Sequence, residues 1–183
     1  MDAEAGQDER YAAAATEFGP AIARLARAYE AEPDPRGDLI QDIHVALWRS
    51  LAAFDGRCAL RTWVYRVAHN TASSHVRKRR RWCRERGASL EALEAVADAD
   101  DPEAAVGERR ALERLVAIIQ QLGSPDRQVA LLYLEDLDAA VIGEITGLSA
   151  GAVSVKIYRL KALLARRFAA PREKGEAPHD PTA

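Results

Sequence analysis

The sequence predicts an all-α protein: two small helical domains joined by a flexible linker, the C-terminal one containing a helix-turn-helix. Three observations predict it. No stretch sustains the alternation and β-branched enrichment of a strand, while the helix formers Ala, Leu, Arg and Glu dominate. Apolar residues recur at three- and four-residue steps in separate blocks. Between those blocks, residues 83–101 turn small and acidic.

The elements follow in order. A first helix over 10–30 aligns Ala14, Phe18, Ala21, Ile22, Leu25 and Ala26. Pro33 and Pro35 interrupt it. A second helix over 36–54 aligns Leu39, Ile43, Ala46, Leu47 and Leu51, and Asp55-Gly56 makes a turn. A third, over 59–80, turns Leu60, Val64, Val67 and Thr71 inward. These give a first domain over 8–82. Residues 83–101 read as the linker, with one weak helical turn at 90–93. Helix signals resume at Pro102, and Leu112, Leu115, Val116 and Ile119 form one apolar face that Gly123 ends. Ser124 followed by Pro125 predicts an N-cap with Pro at the first helical position, opening a helix that carries Val129, Leu132 and Tyr133.

The second domain, 102–169, closes on a helix pair. Asp138 caps a short helix over 139–145. Thr146, Gly147 and Leu148 form the turn, with Gly147 suited to a left-handed backbone. Ser149 caps a last helix running to about Phe168. Val141, Ile145, Leu148, Val153, Ile157, Leu160 and Leu164 point inward. The free face carries Ala152, Val155, Lys156 and Arg159, flanked by Ser154, Tyr158 and Lys161. Residues 139–168 hold five basic side chains and one acidic, Glu144. That pattern fits insertion into a DNA major groove, and it also fits a plain αα-hairpin. The tail, 170–183, with Pro171, Pro178 and Pro181, reads as disordered.

The formal net charge of −2 over 183 residues hides a pattern. Residues 1–35 carry net −5, 36–86 net +8, 87–113 net −6 and 114–183 net +1. Charge acts on a partner over about a Debye length, roughly 8–10 Å at physiological salt, so the local block matters more than the total. The unbroken run Arg77-Lys78-Arg79-Arg80-Arg81 is either a solvated patch or a phosphate-binding one.

Residues 38–81, DLIQDIHVALWRSLAAFDGRCALRTWVYRVAHNTASSHVRKRRR, closely resemble the second conserved region of bacterial RNA polymerase sigma factors, sigma-70 family, in particular the extracytoplasmic-function (ECF) subfamily. The shared pattern is Asp-Leu-x-Gln-(Asp/Glu), an aromatic near the helix end, then Phe-x-Gly-x-x-x-Leu-Arg-Thr-Trp-(Val/Leu)-Tyr-Arg-(Ile/Val)-Ala-x-Asn. Residues 112–168 resemble the family's fourth region, ending in the helix-turn-helix. The two stretches cover about 100 of the 183 residues.

The resemblance implies a factor that binds core RNA polymerase, directs it to promoters and helps open the DNA. Asp38, Gln41, Asp42, Val45 and Arg49 share the face of the second helix opposite its core side. Such a face can simply be solvated. The resemblance makes it the dock for the clamp helices of the polymerase's largest subunit, where acids and amide meet basic partners. The flap of the second-largest subunit and promoter DNA are further implied partners, and an anti-sigma factor is an additional candidate partner.

Opening a promoter means unstacking and flipping bases, then holding them on stacking surfaces and in pockets. Trp63 and Tyr65 offer aromatic surfaces, although Trp63 beside Val64 and Val67 equally suits a core. Arg66, Asn70, Ser73 and Arg77 line one helical face. Asn70 has donor and acceptor for a base edge, and its place in the motif resembles the family residue near the flipped base of the −10 element. The loop 55–61, with Arg57 and Arg61, is expected as the pocket wall. Arg77 and Lys78 begin the phosphate-contacting run, which positions without reading sequence. Ser149, Ala152, Ser154, Val155, Lys156, Tyr158, Arg159 and Lys161 are the expected −35 contacts. The segment Gly151-Ala152-Val153-Ser154-Val155-Lys156 departs from the basic-then-Ser pattern of many ECF members, which moves the burden to Lys156, Arg159 and Lys161. Because packing or a partner can cover these faces, the free protein is expected to bind duplex promoter weakly.

Other classes find little support. His44, His69, His75, Cys58 and Cys83 lack metal-ligand spacing, so no metal and no cofactor is expected. Cys58 is expected as a small buried hydrophobe. No nucleophile elbow or phosphate loop occurs, so no enzymatic activity is expected. No run of about 18 apolar residues occurs, and MDAEAGQDER lacks an apolar signal core; a cytoplasmic protein with no membrane partner is expected. The alternative function is a stand-alone helix-turn-helix regulator. The motif at 38–77 speaks against it, because such a regulator needs neither a polymerase dock nor a base-flipping helix.

Overall fold

The computed structural model describes residues 2–82 and 108–168. The expected linker helix turn and the expected tail lie outside those residues. The described residues form seven α-helices and no β-strand. None of them is long and apolar enough to cross a membrane.

Helix α1 runs Asp2–Tyr29, eight residues earlier than the periodicity suggests. Its extra turns lack an apolar stripe, but polar bonds hold them to α2, Pro33–Leu51. Gln7 Nε2 donates to the Trp48 carbonyl at 2.8 Å, and Trp48 Nε1 donates to Asp8 at 2.8 Å. Helix α2 begins at Pro33 rather than after Pro35. Both prolines fit the first turn, where amide hydrogens have no intrahelical acceptor anyway. It ends at Leu51, short of the expected residue 54. Leu39, Ile43, Leu47 and Leu51 are all fully buried, one per turn.

Helix α3, Leu60–Trp82, buries Val64 as expected, but its buried face is wider than and shifted from the expected one. Val64, Tyr65, Ala68, His69 and Ala72 are buried, whereas Leu60, Val67 and Thr71 are only half-buried. The reason is tertiary. Helix α3 packs on α1 and α2 and also meets the C-terminal half, so a single-sided apolar stripe underestimates it. His69 is 1 % exposed and takes a partner in Tyr29, whose hydroxyl lies 3.1 Å from Nδ1.

The C-terminal half starts with α4, Glu108–Gln121, and α5, Asp126–Leu134. Ser124 does not cap α5: Pro125 precedes its first residue, and no side chain caps it. The Ser124–Pro125 peptide is cis. Instead a buried arginine closes the preceding helix. Arg127 donates to the carbonyls of Ile119 (3.2 Å), Gln120 (2.5 Å) and Leu122 (2.7 Å), at and just beyond the helix C-terminus, where acceptors are in excess and a cation is favoured. The same guanidinium lies over the Tyr29 ring at 5.1 Å, tying α5 to α1.

Helix α6, Ala139–Thr146, is capped as expected. Asp138 Oδ1 accepts from the amides of Ala140 and Val141, both at 2.9 Å. Gly147 takes the left-handed conformation at φ 77 and closes the helix onto the Gly143 carbonyl. Helix α7, Ala150–Phe168, follows at a bend of 108°, within the range of a helix-turn-helix. Ser149 Oγ accepts from Ala152 N at 3.2 Å. The buried set is shifted from the expected one. Ile142, Ile145, Val153, Leu160 and Leu163 are buried, while Val141, Leu148, Ile157 and Leu164 are half-buried.

Apolar packing runs between the halves. Ile119 and Leu131 join the core of α1, α2 and α3. Ala21 and Tyr65 join the core of the helix-turn-helix.

Candidate nucleic-acid interface

Helix α2 presents one continuous outer face. Because Leu39, Ile43, Leu47 and Leu51 turn inward, Asp38, Gln41, Asp42, Val45 and Arg49 are all exposed. Trp48 lies beside them at 40 % exposure and adds an apolar plate to this polar face. Sequence reasoning did not single it out, although its three-residue step from Val45 places it on the same face. His75 of α3 approaches the back of the same face, with Nδ1 3.8 Å from Asp42 and Nε2 3.9 Å from Glu30.

The candidate −10 residues split into two groups. Arg57, Asn70, Arg77 and Lys78 face solvent. Arg57 curls back on Asp55, with Nε 2.5 Å from the carboxylate. Its backbone and side-chain bonds hold the Asp55 carboxyl below the usual carboxylate range. Arg77 donates to Ser74 Oγ at 3.0 Å. The second group turns toward the C-terminal half. Arg61 donates to the Glu135 carbonyl, and Arg66 donates to the Glu144 carbonyl at 3.0 Å. Ser73 Oγ accepts from Gln128 at 3.0 Å. Tyr65 is 4 % exposed and donates to Glu135 Oε2 at 2.9 Å. Trp63 stands apart from both groups: it is half-buried within the first three helices, edge-on to Phe54 and bonded through Nε1 to Ser50 Oγ at 3.1 Å.

Glu135 collects much of this interface. Its carboxylate also takes both nitrogens of a bidentate Arg24, each at 2.7 Å. Burial pushes the Glu135 carboxyl up, but the bonds from Arg24 and Tyr65 and the charges of Arg24 and Arg61 outweigh it and hold it below its ordinary value. Burial, with the Glu135 charge beside it, pushes the Tyr65 hydroxyl up to about 12. An acid in a turn gives no sequence signal of this role.

On α7, Val155 and Tyr158 stand out at 51 % and 75 % exposure. Ser149 and Ser154 are exposed but partnered, Ser154 Oγ donating to the Ala150 carbonyl at 2.9 Å. Ala152 and Arg159 are half-buried. Lys161 is exposed, with its ammonium 5.1 Å over the Tyr133 ring. Lys156 Nζ lies 2.5 Å from Asp126. The turn that aims this helix depends on a glycine the sequence did not single out. A Cβ on Gly143 would lie 2.7 Å from the Leu148 carbonyl oxygen.

Cys58 is half-buried in the loop before α3, not a core residue as expected, and Cys83 lies outside the described residues. Among the described residues no three of His, Cys, Asp and Glu converge in a metal-holding arrangement.

A three-helix unit with an exposed acid–amide face and a basic third helix, followed by a capped helix-turn-helix, defines an all-helical protein of the helix-turn-helix class. The family model for sigma-70 region 2 matches residues 15–82. The RNA polymerase sigma factor CnrH of Cupriavidus metallidurans is 29% identical over 178 residues, covering 94% of this chain and 93% of that protein. The ECF RNA polymerase sigma factor SigW of Bacillus subtilis is 28% identical over 151 residues, covering 79% and 78%. The fold matches CnrH solved in complex with the cytosolic domain of CnrY (TM-score 0.63, 23% identity, 90% of this chain and 91% of that one). It also matches the sigma factor RpoE solved with the anti-sigma factor NepR from Bartonella quintana (TM-score 0.66, 17% identity, 90% and 99%). Residues 15–82 thus match sigma-70 region 2, and the chain is similar over most of its length to ECF RNA polymerase sigma factors.

Proposed function

We propose that this ECF-type sigma factor binds core RNA polymerase through the outer face of α2, reads and opens the −10 element with α3, and anchors upstream at the −35 element with α7. The observation that carries the reading is the arrangement of two adjacent helices. Helix α2 exposes Asp38, Gln41, Asp42 and Val45, while α3 exposes Asn70, Arg77 and Lys78. A protein dock and a DNA-facing helix on one rigid unit hold base capture at a fixed distance from the enzyme's clamp.

The division of labour follows the chain. Residues 8–82 dock and melt, 83–101 link, and 102–169 anchor. Asp38, Gln41, Asp42, Val45 and Arg49 meet the clamp helices of the largest subunit. Arg57, Arg61, Trp63, Tyr65, Arg66, Asn70 and Ser73 surround the unpaired −10 bases, with Arg77 and Lys78 on upstream phosphates. Ser149, Ala152, Ser154, Val155, Lys156, Tyr158, Arg159 and Lys161 face the −35 duplex. The helix-turn-helix half also meets the flap of the second-largest subunit. The protein is a cytoplasmic factor and performs no catalysis of its own. An anti-sigma factor is a fitting partner, because the similar CnrH and RpoE structures were solved with CnrY and with the anti-sigma factor NepR.

Runoff transcription with purified core polymerase on a genomic promoter library tests the reading. Discrete, promoter-specific transcripts that require this chain are expected. Tight sequence-specific duplex binding without polymerase, and no transcripts with it, would favour a stand-alone regulator instead.

A further inference from the structure

We infer that Glu135 is an intramolecular latch that holds the free chain closed, with Tyr65 sealed against the helix-turn-helix half and the exposed Arg61 tied to it. The inference rests on the assignment of α3 to the −10 element. It adds a specific residue that controls access to α3.

Glu135 lies one residue beyond α5, where the chain reverses through Asp136 at φ 57. Both its polar ends are taken by the other half. Its carbonyl, at a helix C-terminus where acceptors lack intrahelical donors, accepts from Arg61 of α3. Its carboxylate accepts two parallel bonds from Arg24 of α1 and one from Tyr65 of α3. Arg61 also lies over the Tyr65 ring at 5.7 Å. Three groups from two helices thus converge on one residue. Such charge-assisted, bidentate bonds are stronger and more directional than neutral ones. Two neighbouring bonds extend the seam: Arg66 to the Glu144 carbonyl and Gln128 to Ser73.

A base cannot stack on Tyr65 while that ring is 4 % exposed. Affinity for unpaired DNA is therefore reduced by the fraction of chains that are open. Weakening the latch raises that fraction. Arg24 is 60 % exposed, so salt screens its pairing and favours opening.

The test uses the full chain with Cys58 and Cys83 replaced by serine and spin labels at Glu17→Cys on α1 and Ala165→Cys on α7, both exposed sites. Distance distributions are compared for the parent, Glu135→Ala, Arg24→Ala and the exchanged pair Arg24→Glu/Glu135→Arg. Affinity for a fluorescein-labelled, random-sequence single-stranded oligonucleotide is measured in parallel. Either single variant should raise the open population and tighten oligonucleotide binding by roughly three- to tenfold, and the exchange, which restores the Arg24 pair but not the Tyr65 bond, should reverse both in part. Circular dichroism checks folding, and Arg24→Ala, at an exposed side chain, decides the matter if Glu135→Ala unfolds. An unchanged distance distribution in a folded Arg24→Ala would overturn the latch. So would opening without any gain in oligonucleotide binding. Runoff transcription of the same set separates the two readings. Failure of every chain, parent included, would count against sigma-factor function, and the distance data would still decide the latch.

Discussion

Lys156 reaches from α7 to Asp126 at the first residue of α5 and donates to its carboxylate at 2.5 Å. The two side chains are 21 % and 5 % exposed. This pair fixes the pitch of α7 on its support, and it gives the proposed DNA contact Lys156 a structural role as well.

Lys156→Ala should therefore act first on stability. Removing the cation beside a buried carboxylate costs about 1–3 kcal/mol. Arg159→Ala should stay within about 1 kcal/mol of the parent but weaken initial duplex binding by the holoenzyme, with a flatter salt slope. Thermal denaturation and salt-dependent promoter binding read the two effects. The assignment is wrong if Lys156→Ala leaves the melting temperature unchanged.

Gly143→Ala should lower stability by roughly 1–3 kcal/mol, because its new methyl meets the backbone of the turn rather than a movable side chain. The expected signature is reduced −35 duplex binding together with a lower denaturation midpoint. A fully stable variant would mean that the turn relaxes freely.

Asp42→Arg should weaken association with core polymerase roughly tenfold or more while leaving the fold intact, since the residue is exposed and its reversed charge would face basic partners. Competition against the parent for core enzyme measures it. Unchanged co-purification would remove this face from the dock.

Asn70→Ala should cut transcription from a duplex promoter roughly tenfold while initial duplex binding is nearly preserved, because a base edge becomes available only once unpaired. Permanganate reactivity of unpaired thymines should fall with transcription, and a pre-melted template should rescue in part. Equal loss at both steps would place Asn70 in the closed complex instead.

His69 makes the fold acid-sensitive. Burial lowers its pKa to about 3 from 6.5. Between those values the unfolded chain binds the proton and the folded chain does not. Stability therefore falls as pH drops below about 6.5, by up to about 1.4 kcal/mol per pH unit from this group. His69→Gln, which keeps a polar partner for Tyr29, should show a shallower loss between about pH 6.5 and 4.5. Parallel slopes in urea titrations would clear His69 of the effect.

Much of this was legible in the sequence by itself. Local rules determined the helical class, the Asp138 cap, the left-handed Gly147 and the exposed row 38–41–42–45–49, because capping, backbone freedom and helical periodicity act within a few residues. The motif at 38–81 carried the resemblance to sigma-70 region 2, which the family model matches over residues 15–82. Tertiary structure decided what local rules cannot reach. Helix α3 faces two neighbours, so Tyr65 and His69 are buried where a one-sided stripe pointed to Val67 and Thr71. Proline chemistry allows either a break or a first turn, and α2 took the turn. Ser124 could have capped α5, yet Pro125 directly precedes that helix and the buried Arg127 closes the end of α4. Glu135 lies 111 residues from Arg24 and 70 from Tyr65 in sequence. An ion pair's partner is set by where the fold brings charges together in space, and no spacing along the chain encodes that distance.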